Sequence, residues 1–233
     1  MANFNTHLTV GAIGAGMLAT LSLQVGFVNN RDALLIAGLG TLASILPDID
    51  LKYSTPSKLI FTTLGIISAF LTIFATKNSF SIIELWMLGI TTFLLIRFGL
   101  WHFFQKFTVH RGAIHSLTAA LFFSFFSTAI SFHFFGKTDF IAWLIGFSVG
   151  IGFITHLILD ELYSVDFMNQ RIKRSFGSAF KLLDRKQRFG SGFLALLVII
   201  LWFFLPSSAA FIDTLLSIET YQLLWNRLLP AQI

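Results

Sequence analysis

The stretch FIAWLIGFSVGIGFITHLILD, residues 140–160, decides the fold. Its 21 residues contain His156 and the terminal Asp160 as their only titratable side chains. An α-helix needs about 20 consecutive apolar residues to cross the hydrocarbon core of a bilayer. The stretch therefore predicts a transmembrane helix that ends with a carboxylate at one membrane face.

The composition of the whole chain places it in the membrane class. Hydrophobic residues make up 55% of the 233 residues and charged residues only 12%, whereas a soluble domain carries about 25% charged residues. We therefore predict an all-α, polytopic transmembrane helical bundle with short loops, forming one integral membrane domain over residues 1–233. The net charge of +5 indicates topology and contact with anionic membrane lipids, and no nucleic-acid partner is expected. The composition does not indicate an oligomeric state.

Hydropathy predicts about seven spans, separated by short polar turns. They lie at roughly 8–28, 33–47, 58–76, 81–101, 114–135, 140–160 and 191–207. The second is short, so it could be tilted, thin the bilayer or re-enter within protein. Residues 162–190 are predicted to form a basic cytoplasmic loop. Residues 208–233 are mixed in polarity and are interpreted as an interfacial C-terminal helix, not as a span.

Seven metal-capable side chains recur at the ends of these spans. They are His7, Asp48, Asp50, His110, His115, His156 and Asp160. An even number of predicted spans separates the four short strings that carry them, so all four strings fall on one membrane face. Titratable groups beside apolar spans are costly unless a cation compensates them, and without cysteine a metal must take nitrogen and oxygen ligands. We predict a divalent metal site with one or two ions, zinc being favoured and Mn²⁺ or Mg²⁺ remaining open.

Basic residues orient this face. Twelve lysines and arginines fall on the side of the four strings, and four fall on the opposite side. By the positive-inside rule, the predicted site faces the cytoplasm.

The spacing within two of the strings suits a metal. His156 and Asp160 are four residues apart, so on a helix both side chains lie on one face; an intrahelical hydrogen bond without metal is the alternative. Asp48 and Asp50 follow Pro47 two residues apart, so both carboxylates could reach one centre, and a turn with a helix cap is the alternative. Convergence of four strings on one face favours the metal in both cases.

The string His110-Arg111-Gly112-Ala113-Ile114-His115-Ser116 adds phosphate-binding chemistry. We expect His110 in a loop and His115 in the first turn of the fifth span, where free backbone N–H groups favour an anion. Arg111 is predicted to be a catalytic phosphate donor, with a membrane-interface arginine as an equal alternative. Ser116 is interpreted as a helix cap.

The remaining candidates are weaker. His7 opens the first span and alone would be an ordinary interfacial histidine. Glu161 could act as a general base or support the ligands, although its neighbouring position points it to another helix face. His102 and His133 are excluded from the predicted site.

These strings, in this order, resemble the YdjM family of inner-membrane proteins, which are described as metal-dependent hydrolases. The residues that carry the resemblance are His7-Leu8, Leu46 to Asp50, His110-Arg111-Gly112 with His115-Ser116-Leu117, and Gly152 with His156 and Asp160. The resemblance implies a multi-pass protein of the bacterial inner membrane that hydrolyses its substrate with a metal. The ligand types are also similar to those of zinc-dependent phospholipases C. The chain departs from the pattern at Glu161 to Ser164, where small and proline-containing residues are expected.

Three functions compete at this point. The first is a membrane-embedded hydrolase that cleaves a phosphoester or lipid substrate at the cytoplasmic face. The second is a metal or proton transporter, which needs ionisable groups along a path through the membrane; here only Glu84 and Arg97 lie within the spans. The third is a structural membrane protein whose metal ties helices together. Clustering of the candidates at span ends favours the hydrolase.

Overall fold

The structure is a computed structural model that describes residues 3–51, 54–107, 112–166, 171–172, 180–184 and 187–228. It confirms the predicted all-helical class. The α-helices are α1 Phe4–Gln24, α2 Asn30–Ala43, α3 Thr55–Thr76, α4 Ile82–Leu94, α5 Trp101–Phe107, α6 Leu117–His133, α7 Asp139–Leu162, α8 Arg188–Trp202, α9 Ala209–Leu216 and α10 Ile218–Leu228. A 3-10 helix covers Pro47–Asp50, and a π-helix, Leu95–Leu100, joins α4 to α5. Two short antiparallel strands, β1 Val165–Asp166 and β2 Arg171–Ile172, follow α7.

The chain forms two compact units. The first comprises Met1–Pro47 and Ala113–Ile233, and the second comprises Asp48–Gly112. The first unit therefore contains α1, α2 and α6 to α10, whereas the second contains α3, α4, the π-helix and α5.

Helix α7 forms the core of the first unit, because small residues allow its neighbours to approach closely. A Cβ atom on Gly152 would lie only 2.0 Å from the carbonyl oxygen of Gly40 in α2. A Cβ on Gly146 would collide with Thr128 of α6. Ser148 donates a hydrogen bond to the Ile36 carbonyl at 2.7 Å. These contacts bring α2 and α6 against α7, and α1 packs on α2 and α7.

An ion pair closes one end of the first unit. Lys137, in the turn between α6 and α7, lies 2.6 Å from Asp32 in the first turn of α2. The side chain of Asn29 caps α2 and donates a second hydrogen bond to the Asp32 carboxylate. The turns that contain Gly26 and Gly136, both with positive φ, therefore lie at the end opposite to the C-terminus of α7.

The second unit is a helical hairpin with little buried surface. Ser54 caps α3, and Ser81 with Glu84 forms a reciprocal capping box at the start of α4. Glu84 therefore has a structural use at the end of a helix. Apolar side chains of α3 and α4 are largely exposed, including Ile67, Leu71 and Ile83, as expected of helices that face lipid.

Length and composition support fewer than seven spans among the described residues. Four helical segments of the described chain are long and apolar enough to cross a membrane: Phe4–Gln24, Thr55–Thr76, Ile82–Lys106 and Asp139–Leu162. Helices α2, α6 and α8 hold 14, 17 and 15 residues. At 1.5 Å per residue they are roughly 21–26 Å long, less than the ~30 Å of the hydrocarbon core. The prediction of about seven spans is not confirmed, although each predicted span contains a helix.

Candidate metal centre

Asp160 is the centre of a buried cluster in the first unit. It lies in the last turn of α7 with only 1% of its surface exposed. Its Oδ1 lies 3.4 Å from Nε2 of His7. Its Oδ2 lies 3.8 Å from Nε2 of His115 and 3.9 Å from Nε2 of His156. Three imidazole nitrogens therefore surround one carboxylate.

His156 is oriented by the backbone of the neighbouring helix. One turn before Asp160 in α7, its Nδ1 lies 2.7 Å from the carbonyl oxygen of Ser44, directly after α2. A carbonyl oxygen can only accept a hydrogen bond, so Nδ1 carries the proton. In the neutral ring, Nε2 then presents a lone pair toward Asp160, which is the tautomer that a metal requires.

His7 enters the cluster from the first turns of α1. Its ring stacks on that of His156 with the centroids 3.7 Å apart, and its side chain is completely buried. Its Nε2 faces the Asp160 carboxylate, whereas its Nδ1 makes no hydrogen bond with any of the described residues. The Ser44 hydroxyl lies 2.7 Å from the Thr41 carbonyl oxygen and 3.0 Å from the His7 carbonyl oxygen, so these two acceptors share its one proton. Ser44 therefore contacts both histidines, His156 through its carbonyl and the backbone of His7 through its hydroxyl. A buried imidazole without hydrogen bonds is costly unless a further ligand compensates it.

His115 approaches from the segment before α6. The helix begins at Leu117, and Ser116 is its N-cap, with its side chain accepting from Ala119 N–H. The interpretation of Ser116 as a cap is confirmed, but the expectation that His115 lies in the first helical turn is wrong. Backbone hydrogen bonds hold this segment, because Leu117 N–H donates to the Lys181 carbonyl and Ala113 N–H to the Gln187 side chain.

The donor atoms fit a divalent ion. Ligand atoms about 2.1 Å from a tetrahedral zinc lie about 3.4 Å from one another. The separation of His7 and Asp160 equals this value, and the other two separations exceed it by 0.4–0.5 Å, a change that small side-chain rotations supply. Donor atoms of His7, His156 and Asp160 all lie within 4.8 Å of one another. His115 is not part of this group of three. Two imidazoles with one carboxylate are a ligand set typical of zinc sites that keep a position open.

The other predicted site residues have different outcomes. Asp48 and Asp50 belong to the second unit, where both are buried in the 3-10 helix; their role as ligands stays a prediction. Glu161 is half-buried one residue after Asp160, and its catalytic role also stays a prediction. His110 and Arg111 lie outside the described residues.

Ser44 is the residue that sequence reasoning missed. It acts on His156 through a backbone carbonyl, which any residue type would provide, so no side-chain pattern marks it. A weak signal exists at Gly11, where a Cβ atom would lie 2.2 Å from the Ser44 hydroxyl. A glycine one turn after His7 indicates close approach of another helix, without identifying the residue that approaches.

Comparison with known proteins gives one match for this chain, to a protein family. No curated protein and no solved structure matches the chain. A family model described as YdjM inner membrane protein matches residues 1–204. This match covers most of the chain and includes all four members of the buried cluster, and it confirms the resemblance seen in the sequence. The chain therefore belongs to the YdjM inner membrane protein family.

Proposed function

We propose that this protein is a metal-dependent hydrolase that cleaves a phosphoester, such as a lipid headgroup, at the cytoplasmic face of the inner membrane. The observation that carries the proposal is the convergence of His7, His115 and His156 on the Asp160 carboxylate in the first unit. These four residues come from α1, from the segment before α6 and from α7, so their meeting is a property of the fold and not of local sequence.

The donor set favours one borderline divalent ion over a hard one. Mg²⁺ prefers an octahedral shell of oxygen atoms, whereas three imidazoles favour Zn²⁺. A bound ion of this kind lowers the pKa of a coordinated water and polarises a phosphoryl oxygen. Asp48, Asp50 and His110 are proposed as further ligands. They would bind a second ion of the same type.

The chain's own residues provide the remaining chemistry. His156 stays in the ligating tautomer because the Ser44 carbonyl oxygen accepts a hydrogen bond from its Nδ1–H. We assign to Glu161 the role of general base, since it follows Asp160 directly in α7. We assign to Arg111 the binding of substrate phosphate, because its guanidinium donates two parallel hydrogen bonds and cannot ligate a metal.

The cytoplasmic orientation rests on charge. The predicted loop of residues 162–190 follows the Asp160 end of α7, and it is rich in lysine and arginine. Segments with this bias remain in the cytoplasm.

The first test is metal analysis of the purified protein, followed by a hydrolysis screen on phosphoesters and phospholipids. His156→Ala should lower metal content and turnover together, whereas His102→Ala, a matched histidine outside the cluster, should change neither. Arg111→Gln should keep metal content and lower turnover on the order of 100-fold, the typical cost of losing an anchored transition-state donor.

Two results would overturn parts of the proposal. Full activity in Arg111→Gln would make this arginine a membrane-interface anchor. A metal-loaded protein that cleaves no phosphoester, ester or amide would give precedence to a structural role of the metal.

A further inference from the structure

Arg97 occupies an unusual position in the second unit. It lies within the π-helix Leu95–Leu100, inside the apolar segment Ile82–Lys106 that is long enough to cross a membrane. π-turns within α-helices are rare, and many of those that occur lie at functional sites. An arginine within a span also indicates function, because its charge is costly in hydrocarbon.

Contacts within the hairpin fix the level of Arg97. The indole N–H of Trp101 donates to the Ser57 hydroxyl near the start of α3 at 3.0 Å, while Gly65 packs directly on Phe93. Arg97 lies midway between these two contacts. At 1.5 Å per residue it is about 6 Å closer to the bilayer centre than Trp101, so an extended arginine side chain reaches back to the headgroup level.

No carboxylate of the described residues lies within ion-pair distance of Arg97. Its recorded contact is with the ring of Phe98, 5.1 Å from the guanidinium carbon to the ring centroid. Glu84 lies at the other end of the hairpin in its capping box. The neighbours Leu95 and Phe98 are 64% and 54% exposed, so this surface of the helix faces lipid and not protein.

An apolar groove begins at Phe93, four residues before Arg97, and extends away from the level of Trp101. It lies between α3 and α4 and has a volume of about 180 Å³, with Ile66, Phe70, Trp86, Ile90 and Phe93 among its lining residues. Ile90, Phe93 and Arg97 are three and four residues apart, so they form one row along the helix. The Arg97 guanidinium therefore lies between the headgroup level and a groove that suits an acyl chain.

We propose that Arg97 and this groove bind one anionic phospholipid from the leaflet in which α3 begins. The guanidinium would hold the phosphate through two parallel hydrogen bonds, and one acyl chain would lie along Phe93 and Ile90. Lys58 is an exposed residue beside Ser57, and it adds positive charge near the start of α3, at the same end of the hairpin as Trp101. This site is independent of the proposed hydrolase activity.

The test uses the absence of native cysteine. A single Leu94→Cys substitution, at an exposed position one turn from Arg97, carries a bimane fluorophore in the full chain. The protein is reconstituted in vesicles of phosphatidylcholine with brominated phosphatidylglycerol, or with brominated phosphatidylcholine. We expect phosphatidylglycerol to be preferred at the fluorophore by about fivefold, the factor that one basic residue near an anionic lipid surface contributes.

Arg97→Gln should abolish the preference for phosphatidylglycerol, and Arg97→Lys should retain part of it. Lys77→Gln removes the same charge at the far end of α3 and should leave the preference unchanged. An equal preference in the wild-type protein and Arg97→Gln would overturn the proposal. So would a loss of quenching on addition of inorganic phosphate, because the site would then take its anion from water.

A second measurement needs no fluorophore. Native mass spectrometry of the unlabelled protein, released from mixed phosphatidylglycerol and phosphatidylcholine micelles, counts retained lipids. The wild-type protein should retain one phosphatidylglycerol more than Arg97→Gln. Equal retention by the two proteins would also overturn the proposal.

Discussion

At the scale of single residues, Ser44 connects the two histidines that the chain places farthest apart. Its carbonyl oxygen accepts from His156 and its hydroxyl donates to the backbone of His7. The backbone carbonyl of Ser44 therefore orients the ring of His156, while its side-chain hydroxyl contacts the backbone of His7 and of Thr41. These two roles can be separated by mutation, because only the second requires serine.

We expect Ser44→Ala to weaken the cluster without destroying it. The variant loses the hydroxyl that Thr41 and His7 share. A full interhelical hydrogen bond within membranes is worth about 0.6 kcal/mol, so the unfolding free energy should fall by no more than this. The Ser44 carbonyl remains, so metal affinity should fall by less than about tenfold, the low end for groups that orient ligands. Unfolding in detergent and metal titration would measure both quantities.

Thr20→Val is the matched control, since its hydroxyl donates within α1 to the Gly16 carbonyl and contacts no ligand. It should leave metal affinity unchanged. A complete loss of metal in Ser44→Ala would contradict the division between backbone and side-chain roles.

At the scale of elements, the contact of α2 with α7 determines whether the cluster can form. Gly152 lies one turn before His156, and its Cα rests against the backbone of Gly40. Any side chain at this position pushes α2 and α7 apart, and with them Ser44 and His156.

We expect Gly152→Ala to destabilise the first unit by at least about 2 kcal/mol, within the usual cost of overpacking, and to lower metal content. Gly150→Ala is a control on the same helix, because its Cβ would meet Ser124 at 3.5 Å, an ordinary contact. Thermal unfolding of both variants in detergent, with metal analysis, would test this. Equal stability of the two variants would show that the helices are not in close contact at Gly152.

Sequence predicts the helices well and their ends less well. The apolar runs of α1, α3 and α7 are long, so hydropathy alone locates them. Hydropathy predicts the start of the fifth span at residue 114, whereas Ser116 caps α6 and the helix begins at Leu117. The π-turn at Leu95–Leu100 has no signature, because leucine, isoleucine and phenylalanine favour an ordinary α-helix equally.

At the scale of the whole molecule, the candidate site was predictable to the extent that it depends on counting spans. His7, His115, His156 and Asp160 were predicted to meet, because an even number of apolar segments separates them. Counting spans cannot reveal that Ser44 orients His156, since every residue type has the same backbone carbonyl. It also cannot decide how many helices cross fully, since α2, α6 and α8 are short for a bilayer.

Topology is the prediction that belongs to this scale. Reporter fusions at residues 52, 107 and 175 should all read as cytoplasmic, since basic residues concentrate on that side. Fusions at Gly26 and Gly136, in turns at the end closed by Asp32 and Lys137, should read as periplasmic. A split among the first three fusions would contradict a single cytoplasmic site.

The distance of His7 from Asp160 along the chain has a consequence for biosynthesis. The two residues are about 150 positions apart, and a ribosome adds about 5–20 residues per second. Roughly 8–30 s therefore pass between the synthesis of His7 and the synthesis of Asp160. During that interval the nascent chain holds His7 without Asp160, so an ion that needs both ligands would bind only after α7 is made. Truncated chains that end before α7 should therefore reach the membrane without an ion bound at His7.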